Sequence, residues 1–136
     1  MSLELLRLLS DVGLAVLIWM VQLLIYPSFK YCSPNELLKW HKRYTTNMAL
    51  IVIPLMFAQL IIYGILVFQN QTLFNVFGMC IVLSLWLSTF LLFVPLHQHI
   101  SNNNFSEKTL TDLENRNWIR TALWTLLVIW SFLEFV

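Results

Sequence analysis

Four long apolar runs, separated by short polar stretches, account for nearly the whole chain. Each run is close to the roughly 20 apolar residues that a helix needs to cross a bilayer. The pattern predicts an all-α, integral membrane, antiparallel four-helix bundle forming a single domain over 1–136, with spans at about 5–26, 45–67, 73–97 and 118–136. Pro27 is expected to stop the first span, because proline removes a helix hydrogen bond and restricts the residue before it. Ser33-Pro34-Asn35-Glu36 has the form of a capping box with proline at the first helical position. The helix it opens is expected to run unbroken to about Phe68. Gln69-Asn70-Gln71 makes a tight polar turn into the third run, and Ser106 caps a fourth helix with a polar start, Glu107 to Asn117.

Composition agrees with the pattern. Hydrophobic residues make up 59% of the sequence and charged residues 11%, against roughly 25% charged in a soluble domain. A soluble chain of this size has too little interior to hide so much apolar surface, so the lipid bilayer is the expected environment. A formal net charge of +1 without a basic run gives no reason to expect nucleic acid. Cys32 falls in a connection and Cys80 inside an apolar run; a disulfide is not expected, and Cys80 is expected to be buried. The first run could be mistaken for a signal peptide. Glu4 and Asp11 spoil the basic leader, however, and Tyr26-Pro27-Ser28-Phe29-Lys30 replaces a small-residue cleavage site. It reads as a retained span.

Basic residues set the orientation. Lys30, Lys39, Lys42, Arg43, Lys108, Arg116 and Arg120 lie in or beside the two longer connections, whereas Arg7 alone lies toward the other side. The positive-inside rule then places both longer connections in the cytoplasm. The expected location is a bacterial inner membrane, multi-pass, with both termini non-cytoplasmic.

The polar residues inside this greasy frame recur at helical spacing. Asp11, Ala15, Trp19, Gln22 and Tyr26 share a face of the first helix, and His41, Tyr44, Thr45, Met48, Val52, Leu55 and Gln59 a face of the second. Trp86, Thr89, Phe90, Phe93 and His97 do so on the third, and Asn117, Arg120, Thr121, Trp124 and Val128 on the fourth. Polar groups in hydrocarbon are tolerated when they face the bundle interior and find partners. The stripes are therefore expected to converge, with His41 and His97 as candidate catalytic acid/base groups. Gln22, Tyr26, Tyr44, Asn117, Arg120, Thr121, Trp86 and Trp124 are the candidate binding residues. Asp11 and Gln59 belong to a deeper or opposite-end layer. Pro54 and Pro95 each free a carbonyl and open or bend their helices. The plainer reading of many of these residues is helix packing, since interhelical hydrogen bonds among Ser, Thr, Asn, Gln and His are common membrane glue.

Tyr26-Pro27-Ser28-Phe29, His41 with Tyr44, Pro54, Val94-Pro95-Leu96-His97 and Asn117-Trp118-Ile119-Arg120-Thr121 together resemble a group of small bacterial four-helix membrane proteins of unknown function, similar to the anthrone-oxygenase-like family. The resemblance covers almost the whole chain. It implies oxidation of an aromatic compound without a bound metal or organic cofactor, although His97 stands where many relatives carry asparagine.

Three functions compete at this level. One is a pocket on the cytoplasmic side that binds or oxidises an amphiphilic aromatic or anionic small molecule, Arg120 and Asn117 holding the anion and Trp86 and Trp124 lining the apolar part. The second is a structural or accessory membrane subunit with no chemistry of its own, for which a homo-oligomer is compatible. The third is a haem or metal site using His41 and His97, which lacks the neighbouring ligands of a recognised metal motif. No metal or other cofactor is expected.

Overall fold

The computed structural model describes residues 1–136, apart from the side chain of Phe135. It is all helix, and no strand occurs among the described residues. Four helical segments follow one another: α1 (Leu3–Tyr31), α2 (Pro34–Gln69), α3 (Leu73–Ser101) and α4 (Glu107–Phe132), with a closing 3₁₀ turn at Leu133–Phe135. Three of them, α1, α2 and α3, are long and apolar enough to cross a membrane. The fourth differs because its first turns are polar and charged, and its apolar part begins only at Trp118. α1 packs on both α2 and α4, and α3 packs on α2 and α4.

Local chemistry explains the helix ends. The Ser33 side chain accepts from the Glu36 backbone N–H, while Glu36 Oε2 accepts from the Ser33 backbone N–H at 3.0 Å. This capping box satisfies two donors that the first turn of α2 would otherwise leave open. At α4, the Ser106 N–H donates to Thr109 Oγ1 at 3.2 Å. The turn between α3 and α4 reverses through Asn103, whose φ of 55° is the left-handed conformation that asparagine tolerates better than most residues.

Pro27 does not stop α1, contrary to the sequence expectation. A π-helical turn, Val21–Ile25, precedes it, and the Tyr26 N–H bonds to the Val21 carbonyl five residues back. α3 repeats the device: π turn Thr89–Phe93, Val94 N–H bonded to the Thr89 carbonyl, then Pro95. An α-helical proline clashes with the carbonyl four residues before it, and one extra residue in the turn carries that carbonyl aside. Pro54, by contrast, sits in an uninterrupted α2. Each inserted residue also rotates the later side chains by about 100° relative to an unbroken α-helix. That rotation determines what Tyr26 and His97 face.

The core is built from Leu14, Ile18, Tyr63, Val82, Leu85, Trp124 and Leu127, all buried. Outside it the surface is strongly apolar, and Leu50 and Leu91 are 73% and 68% exposed. Cys80 is exposed on this outer surface rather than buried, and both cysteines are free thiols. Gly78 allows α3 to pack closely on α2, for a Cβ there would collide with the Tyr63 ring. Gly78→Ala should therefore destabilise the protein by about 1–3 kcal/mol, the usual cost of overpacking. The check is its thermal midpoint in mild detergent, expected to fall below wild type.

Candidate functional site

Tyr26 lies just after the π turn of α1 and is buried. Its hydroxyl is 3.1 Å from Nε2 of His97, on the segment of α3 that follows the second π turn. His97 Nδ1 is 2.8 Å from Nε2 of His41 on α2, and His41 Nδ1 lies 3.5 Å from Oγ of Ser101. The imidazoles stack with centroids 5.0 Å apart. Phe29 meets both His41 and Tyr44 edge-on, so aromatic walls hold the pair in place. Each ring nitrogen donates or accepts according to tautomer. The series Tyr26–His97–His41–Ser101 is thus a continuous hydrogen-bonded line from a buried phenol to an exposed hydroxyl.

A second arm joins α1 to α4. Asn117 Nδ2 donates to Gln22 Oε1 at 3.0 Å, and Gln22 Nε2 donates to the Glu114 carbonyl at 3.1 Å. The Thr121 hydroxyl lies within reach of both Gln22 Oε1 and the Asn117 carbonyl. Asn117 Oδ1 accepts from Arg120 Nη1 across a long 3.5 Å. The Arg120 guanidinium sits 4.2 Å over the Phe93 ring and 5.2 Å from Trp124, a cation–π setting. No carboxylate pairs with it among the described residues. Arg120 is 7% exposed, and its Nε has no hydrogen-bond partner. Neither has the indole Nε1 of Trp124. A buried cation left in this state is costly.

Between these arms lies a cavity of about 370 Å³. Its walls are apolar, with Leu14, Val21, Met48, Val52 and Met56 among them, and Tyr26, Tyr44, His97, Arg120 and Trp124 gather in its lining. The volume is at the small end of ligand pockets, roughly 300–1,000 Å³. Two unpartnered N–H donors, on Arg120 and Trp124, belong to residues of this lining.

A different polar cluster occupies the far end of α1. Asp11 Oδ1 accepts from Gln59 Nε2 at 2.6 Å, and Oδ2 accepts from the Tyr63 hydroxyl at 2.8 Å and from the Ser131 hydroxyl. One turn away, Arg7 is fully buried, ion-paired with Glu134, and 3.4 Å from Asn75 Oδ1. Its guanidinium also lies 4.9 Å from the Phe74 ring centroid. In this cluster the carboxylates of Asp11 and Glu134 take up the donors of Gln59, Tyr63, Ser131 and Arg7, and among its described residues only Arg7 Nε and Gln59 Oε1 are left without a partner.

The sequence-derived set thus divides. Tyr26, Tyr44, His97, Arg120 and Trp124 line the cavity, His41 bonds to His97, and Asn117, held by Gln22 and Thr121, accepts from Arg120. Trp86 does not take part. It packs against Phe57 and Phe90 on another face of α3. Trp19 also turns outward, 38% exposed, with its indole donating to Thr125. Thr45 and Thr89, for which helix-packing bonds are the plainer sequence reading, instead donate to carbonyls of their own helices, and so do Ser84 and Ser88. Arg7, Tyr63, Asn75 and Ser131 were not singled out by pattern. By position Arg7 reads as a flanking charge, and only its four-residue spacing from Asp11, one helical turn, points inward.

The two histidines do not have the geometry of an axial haem pair. Axial ligands stand on opposite sides of the macrocycle, about 4 Å apart for metal–nitrogen distances of ~2 Å. Here the facing nitrogens are 2.8 Å apart in a hydrogen bond. No group of three or more His, Cys, Asp or Glu side chains that would hold a metal occurs among the described residues. Compared with known proteins, the chain matches no family model, no curated protein and no solved structure.

Proposed function

We propose that the chain is an integral, antiparallel four-helix protein of a bacterial cytoplasmic membrane, whose cytoplasmic-side pocket binds an amphiphilic anion and exchanges a proton with it. The observation that carries this reading is Arg120: a buried guanidinium without a carboxylate, lining an apolar cavity beside the unpartnered indole N–H of Trp124. An anionic oxygen would supply the acceptor that both donors lack, at a position where a planar guanidinium fork suits carboxylate-like heads. The apolar walls would take the rest of the molecule. Tyr26, His97 and His41 then stand as acid/base groups, with Ser101 as the outward end of the line. An aromatic substrate with an acidic hydroxyl, of the kind the family resemblance implies, fits the same pocket.

Support for the membrane setting comes from the outer surface and from Arg7. Leu50, Leu91 and their neighbours present apolar side chains outward, which water would penalise and hydrocarbon accepts. Arg7, the one basic residue at the end opposite the two longer connections, is paired inside the bundle, as a charge in hydrocarbon must be. With Cys32 and Cys80 replaced by serine, Asn103→Cys should react with a membrane-impermeant maleimide in inverted vesicles and stay unlabelled in intact spheroplasts. The opposite pattern would reverse the topology.

The direct test of the pocket is purification in mild detergent followed by mass spectrometry of small molecules released on denaturation. A near-stoichiometric compound bearing an acidic group is the expected result. Recovery of bulk membrane phospholipid alone would contradict it.

A further inference from the structure

Helices α2 and α3 meet at two levels. At the first, His41 stacks on His97, and the Tyr44 and His97 centroids are 6.3 Å apart. At the second, Phe57 meets Trp86 edge-on at 5.0 Å, and Tyr63 packs against Gly78. Between these contacts, residues of both helices line the cavity: Thr45, Ala49 and Ile53 on α2, Thr89 and Val94 on α3. Ile53 is 52% exposed and Val94 38%, so the cavity reaches the outer surface through this gap. Leu50 and Leu91, just outside it, face outward. The π turn of α3 and Ala49 of α2 both line the cavity, and Pro95 follows that turn.

The gap therefore joins an apolar exterior to a pocket with an unpaired cation. We propose that it is a lateral portal through which a single-chain amphiphile with a small anionic oxygen head enters from the bilayer. The head binds at Arg120, and the chain passes between Ala49 and Thr89. This rests on the pocket reading given above. Charge complementarity fixes the head, because the Nε of Arg120 and the Nε1 of Trp124 are buried donors without acceptors. The cavity's modest volume, about 370 Å³, favours one chain over two. The alternative mouth, at the exposed Gln98 and Ser101, is crossed by the Ser101–His41–His97 hydrogen bonds and would bring the chain through water. Through the side gap the chain stays in hydrocarbon, with no apolar surface to transfer into water on the way.

The test uses the full-length protein in proteoliposomes carrying a trace of palmitic acid with a diazirine on its chain. Samples are irradiated at increasing times and labelled residues mapped by mass spectrometry, with unmodified palmitic acid as competitor. Wild type should label Met48 and Val52, and competitor should abolish that labelling. Ala49→Trp and, independently, Val94→Trp should slow its onset about tenfold or more, while Gln98→Trp leaves it near wild type. Thermal scans show which variants are folded, and either lip variant suffices. Slowing by Gln98→Trp with normal onset in the folded lip variants would overturn the portal and leave the pocket standing. If wild type shows no competable labelling of cavity residues, the pocket reading falls with it.

Discussion

Arg120→Gln is expected to weaken binding of an anionic single-chain probe such as palmitate by at least about 30-fold, equivalent to ~2 kcal/mol. The direction follows from the pocket's electrostatics. Arg120 is 7% exposed, pairs with no carboxylate among the described residues, and keeps its Nε without a partner. Glutamine retains some of the volume and hydrogen-bonding capacity but removes the charge. The ligand-free protein should behave in the opposite sense. Relieving a buried, unpaired cation removes a desolvation penalty, so the thermal midpoint of empty Arg120→Gln should equal or exceed that of wild type. Isothermal titration in detergent, combined with thermal scans of ligand-stripped protein, reads both effects. A variant that loses affinity and stability together would mark Arg120 as a packing residue.

Asp11→Ala should do the reverse, lowering stability by about 3 kcal/mol while leaving the pocket's affinity for palmitate within about twofold. Its two carboxyl oxygens accept from Gln59, Tyr63 and Ser131, which come from α2 and α4 and tie both to α1. Alanine strands those donors in an interior with no water to take over. Part of the loss is recovered because Tyr63 and Ser131 stay 3.2 Å from each other and can bond directly. In membrane bundles single interhelical bonds average only about 0.6 kcal/mol. The larger figure here reflects three donors losing one acceptor group at once. Unfolding in mixed detergent micelles, with the free energy read from the transition, checks it. A change below about 0.5 kcal/mol would show that the cluster is dispensable to the fold.

The helices themselves were legible, because a bilayer-length apolar run and a capping box such as Ser33–Glu36 are decided locally. Proline was misread for the same reason. Taken alone, Pro27 ends a helix; with an extra residue in the preceding turn it does not, and nothing in Val21–Ile25 announces that residue. The inserted turn in α3 has a second consequence. A continuous stripe from Trp86 to His97 presumes an unbroken α-helix, whereas the buried series is Gly78, Ile81, Val82 and Leu85, then Phe93. That slip in phase takes Trp86 out of the site and Phe90 out of the stripe. His41, His97, Tyr26 and Arg120 survived because each lies on the cavity side of its own bulge or on a helix without one. Arg7 was missed because a charge near a span end is ordinarily solvated, and its pairing with Glu134 spans nearly the whole chain.

The two polar clusters are expected to have different jobs: the Asp11–Arg7 end, where Arg7 is paired with a carboxylate, holds helices together, and the Arg120 end, where the cation lines a cavity without one, binds. Native mass spectrometry of wild type, Arg120→Gln and Asp11→Ala, released from the same mild detergent, compares them most directly. One small-molecule adduct is predicted on wild type and on the folded fraction of Asp11→Ala, and none on Arg120→Gln. An adduct of the same mass and occupancy on all three would contradict the assignment of the pocket to Arg120.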